Sequence, residues 1–374
     1  DAFDKFAIED EDTFNLQGCI SPVWDTCLAQ LALVESGVCL DDPLVSHSTE
    51  WLLDQQILTT GDWKVKAKNA QPGGWAFEFH NDLYPDIDDT SVVIMAIQNI
   101  KLSEEKEMRK VEAIERGVSW ILAMQNKSGG WAAFDRGNDR RYMTQLPFSD
   151  FGETLDPPSA DVTGHVLEML GRLGYSRKHG AIDKAYRYLR QEQEKDGPWF
   201  GRWGVNFIYG TGSVLPGLAA IGENMDQPYI QQSLAWIELH QNADGGWGES
   251  CGSYVDAALR GVGPSTASQT SWALLALLAA GKVDSQAVYR GINYLISSQG
   301  EDGTWEEPYF TGTGFPGYGF GTVPKQPPAP GELHFQTLEM SGGFMIHYHM
   351  YRNCWPLLAL GRYHALTGSK SYGN

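Results

Sequence analysis

Six stretches of the chain share one order of polar and apolar positions. Each begins with small or polar residues and continues as a Leu-, Ala- or Val-rich stripe at the spacing of one helix face, and most of them stop at a glycine. The stretches are residues 24–37, 88–101, 161–174, 210–222, 265–281 and 351–368. The pattern predicts six apolar helices on the inside of the fold.

A repeated motif separates these stretches, in which an apolar helix end is followed by Gln, a short polar spacer, Gly and Trp. Its tryptophans are 56, 68, 48 and 58 residues apart, so each unit has room for two helices. Four copies are clear and a looser one contains an insertion: they run over residues 125–131, 193–199, 241–247, 299–305 and 55–75. We therefore predict an all-α protein, an α/α barrel of helical hairpins that forms one domain over residues 1–374.

The pattern contains six inner helices but only five convincing outer ones. We expect something else to complete the barrel, either the segment 3–20 or a partner region that this chain lacks. Two stretches, 134–158 and 311–343, lie outside the repeat, and long loops in a compact domain are usually functional or mobile.

The repeated tryptophans have two interpretations. In the structural one, the glycine turn leaves a helix, the Trp packs back on it, and the Gln amide binds exposed helix-end carbonyls. In the functional one, the tryptophans bind carbohydrate. The regular spacing favours the structural interpretation.

Charge and cysteine content exclude several classes of function. The net charge of −19 argues against a nucleic-acid partner, because phosphate binding needs clustered Lys and Arg. The 5 cysteines include no Cys-x-x-Cys pair, so neither a disulfide framework nor a four-thiolate zinc site is predicted. No apolar run approaches the ~20 residues that cross a bilayer, although an apolar surface that dips into one side of a membrane stays open.

Three carboxylates are crowded into the segment Asp86-Ile87-Asp88-Asp89-Thr90, which opens an apolar helix. One of them would suffice as an N-terminal cap. Crowded carboxylates cannot all ionise at low cost, so at least one should keep its proton and the cluster would store an acid. A magnesium site is the alternative, but basic residues for a diphosphate are not nearby. Instead the neighbouring residues are aromatic: Trp75, Phe77, Phe79 and Tyr84.

A protonated carboxyl beside aromatic rings suits the protonation of an alkene, because the rings stabilise a carbocation. Glycoside hydrolases use pairs of carboxylates among the same residue types. Composition leaves both chemistries open.

Motifs along nearly the whole chain resemble those of the bacterial squalene-hopene cyclase family, which are class II triterpene cyclases. The Gln-to-Trp repeat is similar to the family's signature, and the segment 86–90 is similar to its Asp-x-Asp-Asp acid motif. Oxidosqualene cyclases carry a Cys-containing motif at that place, so the resemblance points to squalene. Further matching stretches are residues 21–26, 201–206 and 311–316.

The resemblance implies that Asp88 donates the proton that starts cyclisation, with Asp86 and Asp89 flanking it. It also implies that His165 supports the acid by a hydrogen bond and that Asp161 orients or charges His165. From the residues alone, a histidine on an apolar helix face is more often a core residue.

The resemblance further implies a cavity that is lined mostly by aromatic side chains. Four of them lie near the early cations, two on the matching loop, five in a C-terminal set and three at an entrance constriction: Trp24, Phe77, Tyr84 and Phe134; Trp203 and Tyr209; Phe315, Phe344, Ile346, Tyr348 and Tyr351; Phe148, Ser149 and Phe151.

The chain departs from the family in two ways. Family members are longer, with a second helical barrel before the matched region, and their cavity lies between the two barrels. The loop 317–343 is longer than in the shortest members, which affects the alignment of residues 344–351.

The implied reaction is conversion of squalene to hopene or hopanol without a metal or cofactor. The implied location is the cytoplasmic side of a bacterial membrane, on one face of it. The implied partners are squalene or a similar polyprenoid and an N-terminal half as a separate chain, and a homodimer stays open.

Three other interpretations remain from the residues. One is a non-catalytic barrel half that binds isoprenoid or membrane, and another is an α/α-barrel glycoside hydrolase. The third is a zinc barrel like the prenyltransferases, but His347, His349 and Cys354 do not form a convincing ligand set.

Overall fold

The computed structural model describes residues 7–10, 14–16, 20–79, 81–139, 155–316 and 343–368. Six apolar helices form a closed inner ring, each in contact with the next and the last with the first. They are α1 (Pro22–Glu35), α3 (Ile87–Ile97), α5 (Ala160–Arg172), α7 (Phe207–Ala220), α9 (Ala267–Ala279) and α11 (Tyr351–Gly368). All six predicted inner helices are confirmed.

Outer helices alternate with the inner ones along the chain and pack on their outside. They are α2 (Pro43–Asp54), α4 (Glu104–Met124), α6 (Gly180–Glu192), α8 (Pro228–Leu239) and α10 (Gln286–Ser298). The inner helices are parallel because each is followed by an outer helix that returns the chain. The α/α barrel predicted from the sequence is therefore confirmed.

Glycines let the inner helices approach closely where α5 meets α7. A Cβ atom on Gly164 would lie 2.6 Å from the carbonyl oxygen of Ser213, and one on Gly217 would lie 2.3 Å from the carbonyl oxygen of Gly164. Real side chains do not approach backbone this closely, so a larger residue would push the two helices apart.

Each repeated tryptophan joins an outer helix to the inner helix that follows it. The Trp131 indole donates to the carbonyl oxygen of Ile121 in α4 at 2.7 Å, and its backbone N–H donates to the hydroxyl of Thr163 in α5 at 3.0 Å. Trp75, Trp199 and Trp247 make the same pair of contacts in their units. The five tryptophans are at most 4% exposed. The structural interpretation is confirmed, and the carbohydrate-binding one is wrong because no indole face reaches solvent.

The glutamines tie neighbouring outer helices together. Gln125 donates to the carbonyl oxygens of Gly129 in its own turn and of Ala181 in the first turn of α6, both at 2.8 Å. In the first unit Gln56 takes this role, not Gln55 as predicted, and binds the carbonyl oxygens of Gly73 and Ala113.

Two antiparallel hairpins, which the helical pattern did not predict, stand outside the barrel. Strands β1 (Ala7–Glu9) and β2 (Phe14–Leu16) pair near the start of the chain, so the segment 3–20 does not supply a sixth outer helix where it is described. Strands β3 (Gly312–Pro316) and β4 (Gly343–Ile346) pair with an irregularity between Thr313 and Phe315. The second hairpin joins the loop before α7 through a bridge between Gly204 and Gly312.

Candidate active site

The acid segment is the N-terminus of α3. Asp86 is the N-cap residue, and its Oδ1 accepts the backbone N–H groups of Asp88 at 2.6 Å and of Asp89 at 3.2 Å. One of the three carboxylates therefore performs the capping that α3 needs. The other two lie in the first turn, buried and available for another role.

Asp88 pairs with a histidine from the neighbouring inner helix. Its Oδ1 lies 2.7 Å from Nδ1 of His165, which is in the second turn of α5, and both side chains are almost fully buried. Asp88 also lines a cavity, so the pair stands at the cavity wall.

Burial and mutual repulsion disfavour ionisation of the flanking carboxyls. Burial raises the pKa of Asp86 and of Asp89 well above the usual range, and the charge of Asp88 adds to this at both sites. Burial lowers the pKa of His165, but the charge and hydrogen bond of Asp88 outweigh it, so that the pKa of His165 is raised. These directions agree with the expectation that crowded carboxyls in this segment resist ionisation, which stays a prediction.

A cavity of about 280 Å³ opens over the acid. Half of its lining residues are aromatic, and residues in the first turns of four inner helices contribute to it. The lining residues from the predicted set are Trp24, Phe77, Asp86, Asp88, Asp89, Phe134, Trp203, Tyr209, Ile346, Tyr348 and Tyr351. Glu78, Asn81 and Gly314 also line it and were not predicted. Glu78 and Asn81 follow Phe77 in a loop, where polar residues have no periodic signal, and Gly314 lies in β3.

The aromatic side chains hold one another in place. Tyr348 and Tyr351 stack with their ring centres 4.4 Å apart, and Phe77 meets Tyr348 edge-on at 6.4 Å. The Trp24 indole donates to the Tyr351 hydroxyl at 3.1 Å. Phe134 meets Trp203 edge-on at 6.1 Å on the other side of the cavity.

A buried carboxylate positions the loop that carries Trp203. Asp161 Oδ2 accepts the backbone N–H groups of Arg202 and Trp203, each at 2.9 Å. The resemblance implied that Asp161 acts on His165. In the structure its hydrogen bonds go to the loop, and its charge contributes only a minor increase in the pKa of His165.

A second pair supports both aromatic residues of that wall. Arg202 Nε donates to Oδ1 of Asp156 at 3.0 Å, and Oδ2 of Asp156 accepts the backbone N–H of Phe134 at 3.0 Å. Sequence reasoning missed Asp156 because its partner is 46 residues away.

Several predicted site residues are not part of this arrangement. Tyr84 is 48% exposed and does not line the cavity. Phe315 and Phe344 are paired in β3 and β4, and only their backbone is described. Phe148, Ser149 and Phe151 lie outside the described residues.

The described ranges contain no group of three His, Cys, Asp or Glu side chains that could hold a metal ion. His347 Nε2 lies 2.5 Å from the carbonyl oxygen of Glu307, while Cys354 is buried in α11. Within the same ranges, no helix has the length and apolar character to cross a membrane.

Comparisons with known proteins agree with the fold and show the family. Residues 20–322 match the family model of the squalene-hopene cyclase C-terminal domain. The chain is 47% identical to a squalene–hopene cyclase of Alicyclobacillus acidocaldarius over 93% of this chain and 51% of that protein. It is 43% identical to a squalene–hopene cyclase of Bradyrhizobium diazoefficiens over 98% of this chain and 52% of that protein. The chain thus spans about half the length of these relatives.

A solved structure shares the fold at low identity. A type II terpene cyclase from Scytonema, in complex with geranylgeranyl dihydroxybenzoate, superposes with a TM-score of 0.60 at 17% identity over 92% of this chain and 88% of that one. This likeness extends to the fold.

Proposed function

The chain belongs to the squalene-hopene cyclase family, and on that premise we propose that it forms the acid-bearing barrel of a class II terpene cyclase that converts squalene to hopene and hopanol. The observation that carries the proposal is the buried pair of Asp88 and His165 at the floor of an aromatic cavity. A strong acid that is shielded from water and faces rings rather than bases is suited to protonating a hydrocarbon.

The reaction begins when Asp88 transfers its proton to a terminal alkene carbon of the folded substrate. The alkene π electrons form the new C–H bond, and a cation is left on the more substituted carbon. The next alkene attacks that cation, so each ring closure moves the positive charge along the chain. Asp88 becomes a carboxylate, which the neighbouring imidazolium of His165 stabilises at 2.7 Å.

The cavity wall lowers the energy of the travelling cation. Each ring that offers a face contributes ~0.5 to 2 kcal/mol through its quadrupole, with the larger values where water is excluded. Trp24, Phe77 and Phe134 supply such rings beside the acid, and Tyr348 and Tyr351 supply a stacked pair. The reaction ends when the last cation loses a proton or adds water.

The proposal includes a partner and a location. Because the chain spans about half of its relatives' length, the remaining half would cover the open side of the cavity. Squalene is an apolar hydrocarbon that partitions into lipid, so the enzyme would draw it from the cytoplasmic face of a bacterial membrane. Phe79 and Leu83 are exposed apolar residues in the loop between Phe77 and α3, and they would contact the second half or lipid.

The glycoside hydrolase alternative is not favoured. Sugar hydroxyls need polar partners, whereas half of the residues that line the cavity are aromatic and the family match points to terpene cyclisation. The other alternative is a barrel half without catalytic activity. The activity measurement that follows distinguishes it from the proposal.

The test is incubation of squalene with two proteins, followed by mass spectrometry of the neutral lipids. One is this chain alone; the other is this chain joined to the preceding half of the Alicyclobacillus relative. We expect hopene and hopanol from the joined protein and much less from the chain alone. If the joined protein is folded and yields only unchanged squalene, while the relative itself yields hopene, the assignment is wrong.

A further inference from the structure

A cluster of four charged side chains, of which Glu168 is buried and the other three are largely buried, lies one helical turn beyond His165. Glu168 and Arg172 are on α5, Glu35 is at the end of α1, and Arg362 is on α11. Arg172 bridges the two carboxylates at 2.7 Å each, and Arg362 contacts Glu35 at 2.5 Å and Glu168 at 2.8 Å. The cluster joins three inner helices. It also lies next to His165, a position that joining the helices does not by itself require.

Glu168 connects this cluster to His165. The two residues are three positions apart on α5, a spacing that places side chains on one face about 5 to 6 Å apart. Both line an enclosed cavity of about 20 Å³ on the barrel axis, otherwise walled mainly by apolar side chains. This volume has room for about one water molecule, so little solvent screens the two groups from each other.

The hydrogen bonds of His165 and Glu168 go to different partners. His165 binds Asp88 through Nδ1. Both arginines bind Glu168 through its Oε1. His165 therefore has one carboxylate hydrogen-bonded to it, on α3, and a second, Glu168, one turn further along α5 at the same small cavity.

We propose that Glu168 is a positioning residue for the acid, a fixed negative charge that keeps His165 an imidazolium while Asp88 holds its proton. The inference rests on the proposed function. The active form needs two protons on the pair, one to give away and one on His165 to strengthen the acid. A pair with one proton would become an aspartate–imidazolium ion pair, in which Asp88 has nothing to donate. A second anion near the imidazolium makes the doubly protonated form accessible.

The two arginines keep Glu168 charged. Burial alone would raise the pKa of Glu168, but Arg362 and Arg172 outweigh it and lower the pKa to about 2. Glu168 is thus an anion at any pH at which the enzyme works, and it does not take the proton from His165. In turn the charge of Glu168 acts, after that of Asp88, to raise the pKa of His165.

Other charged and aromatic groups around His165 also act on its pKa. Asp161 is an additional acid on α5, Tyr209 on α7 presents its ring edge-on at 6.1 Å, and Arg362 on α11 lines the same small cavity. The positive charge of Arg362 opposes that of Glu168 in part. Arg362 stays in place when Glu168 is replaced, so the substitution removes the whole contribution of Glu168, which is about two units for a charge about 6 Å away at an effective dielectric constant near 20.

The test is an NMR titration of the His165 imidazole in this chain, which requires neither substrate nor turnover. Glu168→Gln should lower the pKa of His165 by about two units. Arg172→Gln removes a cation from the same cluster and should raise it, and Glu35→Gln, which is farther from the ring, should change it by less than half as much. A merely structural cluster would shift all three in one direction by loosening α5.

Opposite signs for Glu168→Gln and Arg172→Gln support the proposal, and equal signs or no shift overturn it. If Glu168→Gln does not fold, the other two variants decide: a rise in the pKa of His165 in Arg172→Gln, with a shift less than half as large in Glu35→Gln, supports the proposal, and any other result overturns it. In the joined enzyme, the pH at which half of the activity is lost should fall with the pKa of His165. If the joined enzyme does not cyclise squalene but the pKa of His165 shifts as expected, the proposed function is wrong and the positioning role of Glu168 stands.

Discussion

Replacing Asp161 tests whether this residue holds the Trp203 loop or acts on the histidine. Asp161→Ala removes two hydrogen bonds of 2.9 Å from the backbone N–H groups of Arg202 and Trp203 to a buried carboxylate. Hydrogen bonds to a charged group contribute ~1.5 to 3 kcal/mol each, so their loss amounts to about 3 to 6 kcal/mol. Burial raises the pKa of Asp161, which offsets part of this, and we expect a loss near the lower limit of about 3 kcal/mol.

The matched variant is Asp161→Asn, whose amide oxygen still accepts both N–H groups and carries no charge to bury. We expect it to lose less than about 1 kcal/mol. Urea unfolding at neutral pH, followed by circular dichroism and tryptophan fluorescence, gives both free energies of unfolding. Equal losses in the two variants would refute the reasoning. So would an Asp161→Ala protein of unchanged stability in which only the titration of His165 has moved, because that is the role the resemblance implied.

Three further predictions concern stability. Tyr351→Phe removes the acceptor of the Trp24 indole and should cost about 1 to 2 kcal/mol in urea unfolding, with Trp24→Phe adding less in the double variant than alone. Gly164→Ala would place a Cβ 2.6 Å from a carbonyl oxygen of α7 and should lower the free energy of unfolding by about 1 to 3 kcal/mol. Gly180→Ala, with open space around the new Cβ, should leave it unchanged, and equal effects of the two variants would contradict this. Because the pKa of Glu168 is lowered to about 2, its ionised carboxylate stabilises the fold by roughly 3 kcal/mol above about pH 4.5, and this stability is lost as the pH falls toward 2. In urea unfolding at a series of pH values, Glu168→Gln should flatten that part of the stability profile.

The inner helices could be predicted because their signals are local. Each combines small or polar residues near its start, an apolar stripe and, in four of the six, a glycine with positive φ just beyond the helix, such as Gly174 and Gly281. The choice between Gln55 and Gln56 could not be made, because the insertion before Trp75 removes the fixed spacing that identifies the glutamine in the other copies.

The acid motif was predictable, but its supports were less so. Three carboxylates at the start of one helix stand out in any sequence, and the family resemblance added His165. The partners of Asp161 and Asp156 are 41 to 46 residues away, so only the folded barrel brings them together. The direction of Tyr84 was missed for the same reason, since a loop has no periodicity that shows which side chain faces the cavity.

The account depends most directly on a proton that moves from Asp88 to squalene. The measurement is cyclisation by the joined enzyme in heavy water, with the deuterium content of hopene read by mass spectrometry, for the parent and for Asp88→Asn. We predict one deuterium in each hopene molecule from the parent and no hopene from the variant, which is folded but has no acidic proton to give. Hopene formed at a comparable rate by Asp88→Asn, or hopene without deuterium from the parent, would contradict the claim.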